Sequence, residues 1–90
     1  MELEWIDGEY AVCQLPPQSR NPEWIDPSGF WSVTATDEEI SVVCLDLDIP
    51  AEVRKESGWC MLRIGGPLDF SLVGILSSLL APLGEKGISV

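Results

Sequence analysis

The segment Gly65-Gly66-Pro67-Leu68-Asp69-Phe70 sets a glycine pair and a carboxylate between a strand-like run and an amphipathic one, so a strand turns there directly into a helix. A helix N-terminus presents unpaired N–H groups and the positive end of the helix dipole, which suits an anion. Phosphate fits poorly: Pro67 removes one donor, and Asp69 puts a negative charge where the phosphate would lie. A zwitterion fits better, with its carboxylate on the helix N–H groups and its ammonium against Asp69 or strand-end carbonyls. The simpler reading makes Asp69 an N-cap and the glycines a turn, and a cap can also line a site.

Other chemistry is thinner. Asp46 and Asp48 lie two apart, so on a strand they share a face and could hold a hard cation, with Asp37, Glu38 and Glu39 nearby. Two ligands do not make a site, and solvated acidic loops explain the same residues. Acid–base work by a carboxylate pair needs a cleft that shifts one pKa, and nothing in the sequence predicts one. The chain has no histidine, so Ser71, Ser77 or Ser78 would need a lysine base, and Lys55 and Lys86 sit in loop-like positions. These exclusions point to a protein that is not an enzyme and uses no cofactor and no metal.

Cys13, Cys44 and Cys60 are odd in number, widely spaced and each in a strand-like segment. They read as buried reduced thiols, with a Cys13–Cys44 pair across neighbouring strands as the alternative. Trp5, Trp24, Trp31 and Trp59 could form a stacking platform or an interface anchor; core filling is the expectation for Trp31 and Trp59, at the beginnings of strands, and Trp24 is the candidate for a packing lid.

These residues need elements to position them. Alternation predicts a short strand over 10–15, closed by Pro16-Pro17, then a connector to Gly29 with one helical turn through Pro22–Ile25 capped by Asn21. Phe30–Thr34 and Ile40–Leu45 form a hairpin across Ala35–Glu39, where Thr36 and Glu39 match a capping box with no room for a helix. Ala51–Glu56 predicts one or two helical turns, and Trp59–Ile64 a fourth strand. From Asp69 on, Leu72, Val73, Leu76, Leu79, Leu80 and Leu83 share one helix face. Pro82 should kink or end that helix, Gly84 or Gly87 can cap it, and Ile88–Val90 begins a strand.

Ninety residues suffice for one compact domain or two small lobes sharing a core, and a unit this small gains from self-association. Fifteen acidic against five basic residues give a net charge of −10, which repels nucleic-acid backbones and anionic membrane surfaces. The acidic N-terminus lacks the positive region of a signal peptide, and no apolar run approaches the ~20 residues of a membrane span. A cytoplasmic location is the default expectation.

Four segments in order, Tyr10–Pro17, Phe30–Thr34, Glu39–Cys44 and Gly66–Ser71, followed by Gly74-Ile75-Leu76 and a closing Gly87–Val90, resemble the small bacterial ACT-domain proteins related to the ACT modules of CASTOR arginine sensors. The resemblance covers nearly the whole chain. It implies an α+β, ferredoxin-like fold with an antiparallel sheet and one long amphipathic helix. Residues 1–57 would form an N-terminal ACT-like lobe, and residues 58–90 the first strand, helix and start of the next strand of an incomplete second lobe, in one compact unit. The resemblance further implies no catalysis and an amino-acid-like effector bound where a strand-to-helix loop meets a neighbouring module. Its pocket would comprise Gly66, Pro67, Leu68, Asp69 and Phe70, with Ile88 and Ser89 opposite. Members of the group continue past the closing segment, so the resemblance implies either that this sequence is a fragment or that another copy supplies the missing surface in a homo-oligomer. The other expectation is a ligand-free interaction module acting through oligomerisation.

Overall fold

The computed structural model describes residues 2–65 and 75–90. It is an α+β fold: strands β1 (Glu2–Leu15), β2 (Ser32–Ala35), β3 (Ile40–Leu45) and β4 (Arg54–Gly65), then helix α1 (Ile75–Glu85). All strand pairings are antiparallel and the sheet order is β2-β3-β1-β4. Consequently β1 and β2 run parallel with β3 between them, and β3 and β4 run parallel with β1 between them.

The alternation along β3 explains its place beside β1. Ile40, Val42 and Cys44 are buried while their neighbours are only partly so, and on β1 Ala11 and Cys13 join them in the core. Both crossovers lie over this face, because Trp24 and Ile25 from the first and Ile49 and Val53 from the second pack on the same cluster. Neither crossover is helical. Pro16, Pro17, Pro22 and Pro27 interrupt the first, where the expected turn of helix is a simple turn at Glu23-Trp24. The second spans residues 46–53, with Asp48 at φ +57°, and the expected helix over Ala51–Glu56 is a turn that enters β4 at Arg54.

The strand β1 is far longer than the alternation predicts. Gly8, at φ +106°, and register shifts against β4 between Ile6 and Tyr10 and between Tyr10 and Val12 break its pattern. At the shifts the adjacent residues Tyr10 and Ala11 are both buried, so at this point the sheet is covered on both faces. Opposite the main core, Tyr10 pairs with Leu45, and its hydroxyl accepts the Phe30 N–H at 3.2 Å. The hairpin between β2 and β3 forms as expected. Its turn is closed by Thr36 N–H donating to the Glu39 carbonyl at 2.9 Å, and Thr36 Oγ1 accepts the N–H groups of Glu38 and Glu39. The capping-box residues therefore cap a turn, not a helix.

The described helix starts at Ile75 and carries Pro82 inside it. It ends in a Schellman motif: Gly87 adopts φ +72°, its N–H donates to the Gly84 carbonyl at 3.0 Å, and Ile88 N–H donates to the Leu83 carbonyl at 2.8 Å. Gly87 is thus the C-cap. Among the described residues α1 makes no contact with the strands, and residues 88–90 form no strand.

Candidate functional site

Gly66, Pro67, Leu68, Asp69 and Phe70, the corner expected to bind a ligand, lie outside the described residues, as do Ser71, Leu72 and Val73. Ile88 and Ser89 are described: both are exposed and follow the C-cap, beyond the far end of α1 from the residues that lead into it.

The Asp46–Asp48 pair does not form a shared face. β3 ends at Leu45, the chain turns through Asp48, and Lys55 Nζ sits 2.7 Å from Asp46 Oδ1. Hydrogen bonding from Lys55, then Ser57, holds the Asp46 carboxyl below its usual value and raises the Lys55 pKa in turn. A protein ammonium thus occupies the carboxylate that was the candidate cation ligand. Among the described residues no cluster of three or more His, Cys, Asp or Glu residues is placed to hold a metal ion.

Cys13 and Cys44 are fully buried free thiols on diagonal positions of β1 and β3, since Cys13 faces Val42 and Cys44 faces Ala11. Desolvation pushes both thiols up, Cys44 to about 11, and the two side chains share a hydrogen bond. Protonated at neutral pH and sealed from solvent, they serve as small apolar core residues. Cys60 departs from expectation, because it lies on β4 and is exposed. Trp31 also departs: it is 52% exposed, whereas Trp24 packs on the core as a cover and Trp59 is partly buried. The reason is topological. Residue 31 precedes an outer strand, where half of its surroundings are solvent.

Two grooves that sequence reasoning missed flank the sheet. One, of about 320 Å³, is lined by Asn21, Pro22, Ile25 and Pro27 of the first crossover and by Trp31 and Val33 at the outer strand β2. Apart from Asn21 its walls are apolar, and two prolines fix φ along the crossover side. The proline-flanked Trp24-Ile25 segment was its only sequence signal. The other, of about 610 Å³, lies where β1 ends and β4 begins, and brings Glu38, Glu39 and Glu52 around Arg54 and Gln14. Gln14 Nε2 donates there to Glu39 Oε2. Three carboxylates against one guanidinium make that groove unfavourable to anions.

A third surface is apolar and open. The pairings Leu3↔Ile64 and Trp5↔Leu62 set four apolar side chains on one face of the β1–β4 ribbon, with Trp5 71% and Leu3 49% exposed. The opposite face carries Glu4 and Arg63, which approach to 3.8 Å. No helix among the described residues is long and apolar enough to cross a membrane.

Comparison with known proteins extends this picture. The chain is 39% identical to protein Atu0741 from Agobacterium tumefaciens, whose X-ray crystal structure superposes with a TM-score of 0.86 over 97% of this chain and 65% of that one. It therefore spans somewhat less than two thirds of that relative's length. No curated protein matches. A family model described as an N-terminal domain matches residues 8–52, from the Gly8 irregularity through the first crossover and the β2–β3 hairpin to the turn before β4. That match takes in half of the chain, and the protein belongs to the family which this N-terminal domain defines.

Proposed function

We propose that this chain is a non-enzymatic regulatory module of ACT type, cytoplasmic, that binds an amino-acid-like effector and signals through association between modules. The observation that supports the reading is the sheet order. Read from the other edge it is β4-β1-β3-β2, two β-x-β units each split by a strand of the other, which is the connectivity of the ferredoxin-like fold with turns in place of its crossover helices. In this reading Asp69 meets the effector's ammonium and the helix N–H groups after it take the carboxylate. Gly66, Pro67, Leu68 and Phe70 wall the pocket, and Ile88 and Ser89 face it from a neighbouring module.

A thermal-shift panel of the free amino acids tests this. A ligand at 100 times its Kd adds about 2.7 kcal/mol, on the order of 10 °C in a domain of this size. Asp69→Asn should abolish the shift while keeping the unliganded Tm. A panel with no responder, or a variant that responds as wild type does, removes the site.

The second reading is an interaction module without a ligand, acting through oligomerisation. The open apolar strip of Leu3, Trp5, Leu62 and Ile64 favours it. Sedimentation separates the two: this reading expects self-association that free amino acids leave unchanged.

A further inference from the structure

The two outer strands of the sheet differ in a way that assigns them different tasks. An exposed edge offers unpaired N–H and C=O groups to any extended chain, and charged side chains on that edge discourage such pairing. β4 carries Arg54, Lys55, Glu56 and Arg63 along its length. β2, Ser32-Val33-Thr34-Ala35, carries no charge and no proline, and no strand among the described residues pairs with its outer edge.

The surroundings of β2 restrict what can add there. The 320 Å³ groove includes Val33 of β2 and the preceding Trp31 among its lining residues, together with Asn21, Pro22, Ile25 and Pro27 of the first crossover. A chain laid along β2 would lower one inward side chain into that groove. The turn directly after β2 is acidic, with Asp37, Glu38 and Glu39, and Glu23 and Asp26 lie in the crossover segment that contributes to the groove. Four residues of strand span roughly 13 Å, so a pairing peptide with basic residues just beyond its central segment reaches that acidic turn. At this edge the acidic turn disfavours a second copy of a chain with net charge −10 relative to a basic segment.

We infer that the β2 edge is a docking site for a basic, extended peptide segment of another protein, which adds as a fifth strand and anchors an apolar side chain between Trp31 and the Pro22–Pro27 wall. Backbone pairing supplies the alignment, the groove supplies the anchor, and the flanking carboxylates select the charge. The edge site uses none of the residues of the Asp69 corner, so each can fail without the other.

The test titrates fluorescein-labelled peptides KKVTVTVKK, EEVTVTVEE and KKVPVPVKK into the full chain, reading anisotropy and amide chemical shifts. The basic peptide should bind, shift the amides of residues 31–35, and weaken several-fold when salt rises from about 50 to about 300 mM. The acidic peptide should bind at least about tenfold more weakly, and the proline peptide, which lacks the needed N–H donors, not detectably. Trp31→Ala should weaken the basic peptide by about tenfold. The double variant Asp37→Lys/Glu38→Lys, confined to an exposed turn, should move the preference toward the acidic peptide. Any one of four results overturns the inference: no binding of KKVTVTVKK at millimolar concentration, equal binding of all three peptides, shifts confined to β4, or dimerisation through residues 32–35 that the peptide does not displace.

Discussion

Leu45 is held from two sides by glycines, and Gly29→Ala tests how rigid that arrangement is. A Cβ at Gly29 would stand 2.6 Å from Leu45 Cδ1, 2.7 Å from Leu45 Cγ and 2.9 Å from the Tyr10 hydroxyl. The Tyr10 hydroxyl is the end of a long side chain, but Leu45 Cγ is a branch point and moves only with the whole side chain. On its other side Leu45 Cδ2 lies 2.7 Å from where a Gly8 Cβ would be, so Leu45 also packs close to the Gly8 position. The new methyl must therefore push the Gly29–Phe30 segment off the sheet or force Leu45 off its rotamer, an overpacking cost of about 1–3 kcal/mol. At about 4–8 °C per kcal/mol for a domain of this size, Tm should fall by roughly 4–24 °C. Urea unfolding followed by tryptophan fluorescence gives the free energy, and the double variant Gly29→Ala/Leu45→Ala identifies the cause. If the clash is with Leu45, the second truncation relieves it, and the two costs fall short of additive by about 1 kcal/mol or more. A Gly29→Ala variant within about 0.5 kcal/mol of wild type, or strictly additive costs, refutes the reasoning.

Further expectations follow from single contacts. Tyr10→Phe removes the acceptor of the Phe30 N–H and should cost about 1 kcal/mol in the same urea assay, the low end for an unmade hydrogen bond because Phe30 borders solvent. Of the three thiols, Cys60 alone should react with an aromatic disulfide reagent in native protein, with Cys13 and Cys44 following only on unfolding; two fast thiols would contradict the burial of β1 against β3. The Asp46 carboxyl is held below 3.8 by Lys55 and Ser57. Its contribution is therefore full above that pH and lost as pH falls through the lower folded-state value. The Tm difference between wild type and Asp46→Asn should accordingly be flat near neutrality and shrink in acid; a difference that grows in acid has the wrong sign.

How far the sequence reveals this molecule depends on which residues keep their period. β3 is legible to the residue, because Ile40, Val42 and Cys44 alternate with less buried neighbours on a strand flanked on both sides. The first half of β1 hides behind its acidic residues and the irregularity at Gly8, although Leu3 and Trp5 alternate with glutamates as a strand requires. The beginning of β4 has the composition of a helix, and tertiary pairing with Val12, Cys13 and Gln14 overrides that preference. Trp31 misleads because a large apolar residue at a strand start is normally core, and only the sheet order reveals that its strand is an outer one. The grooves are invisible for a related reason: each is made where a crossover segment meets strands distant in sequence, and no local spacing encodes that meeting.

The place of β1 between β3 and β4 has a consequence for how the chain reaches its fold. β1 precedes every partner it pairs with: β3 begins 25 residues after β1 ends, since Leu15 is followed by Ile40, and β4 ends only at Gly65. During synthesis the strand destined for the interior of the sheet must therefore persist unpaired, while the β2–β3 hairpin, the one local pairing, is the first that can form. Such non-local closure is slow compared with helix formation. Glu2, Glu4, Asp7 and Glu9, spaced through Leu3, Trp5 and Ile6, then act as gatekeepers. The acidity concentrated in that segment keeps a waiting strand from finding the wrong neighbour.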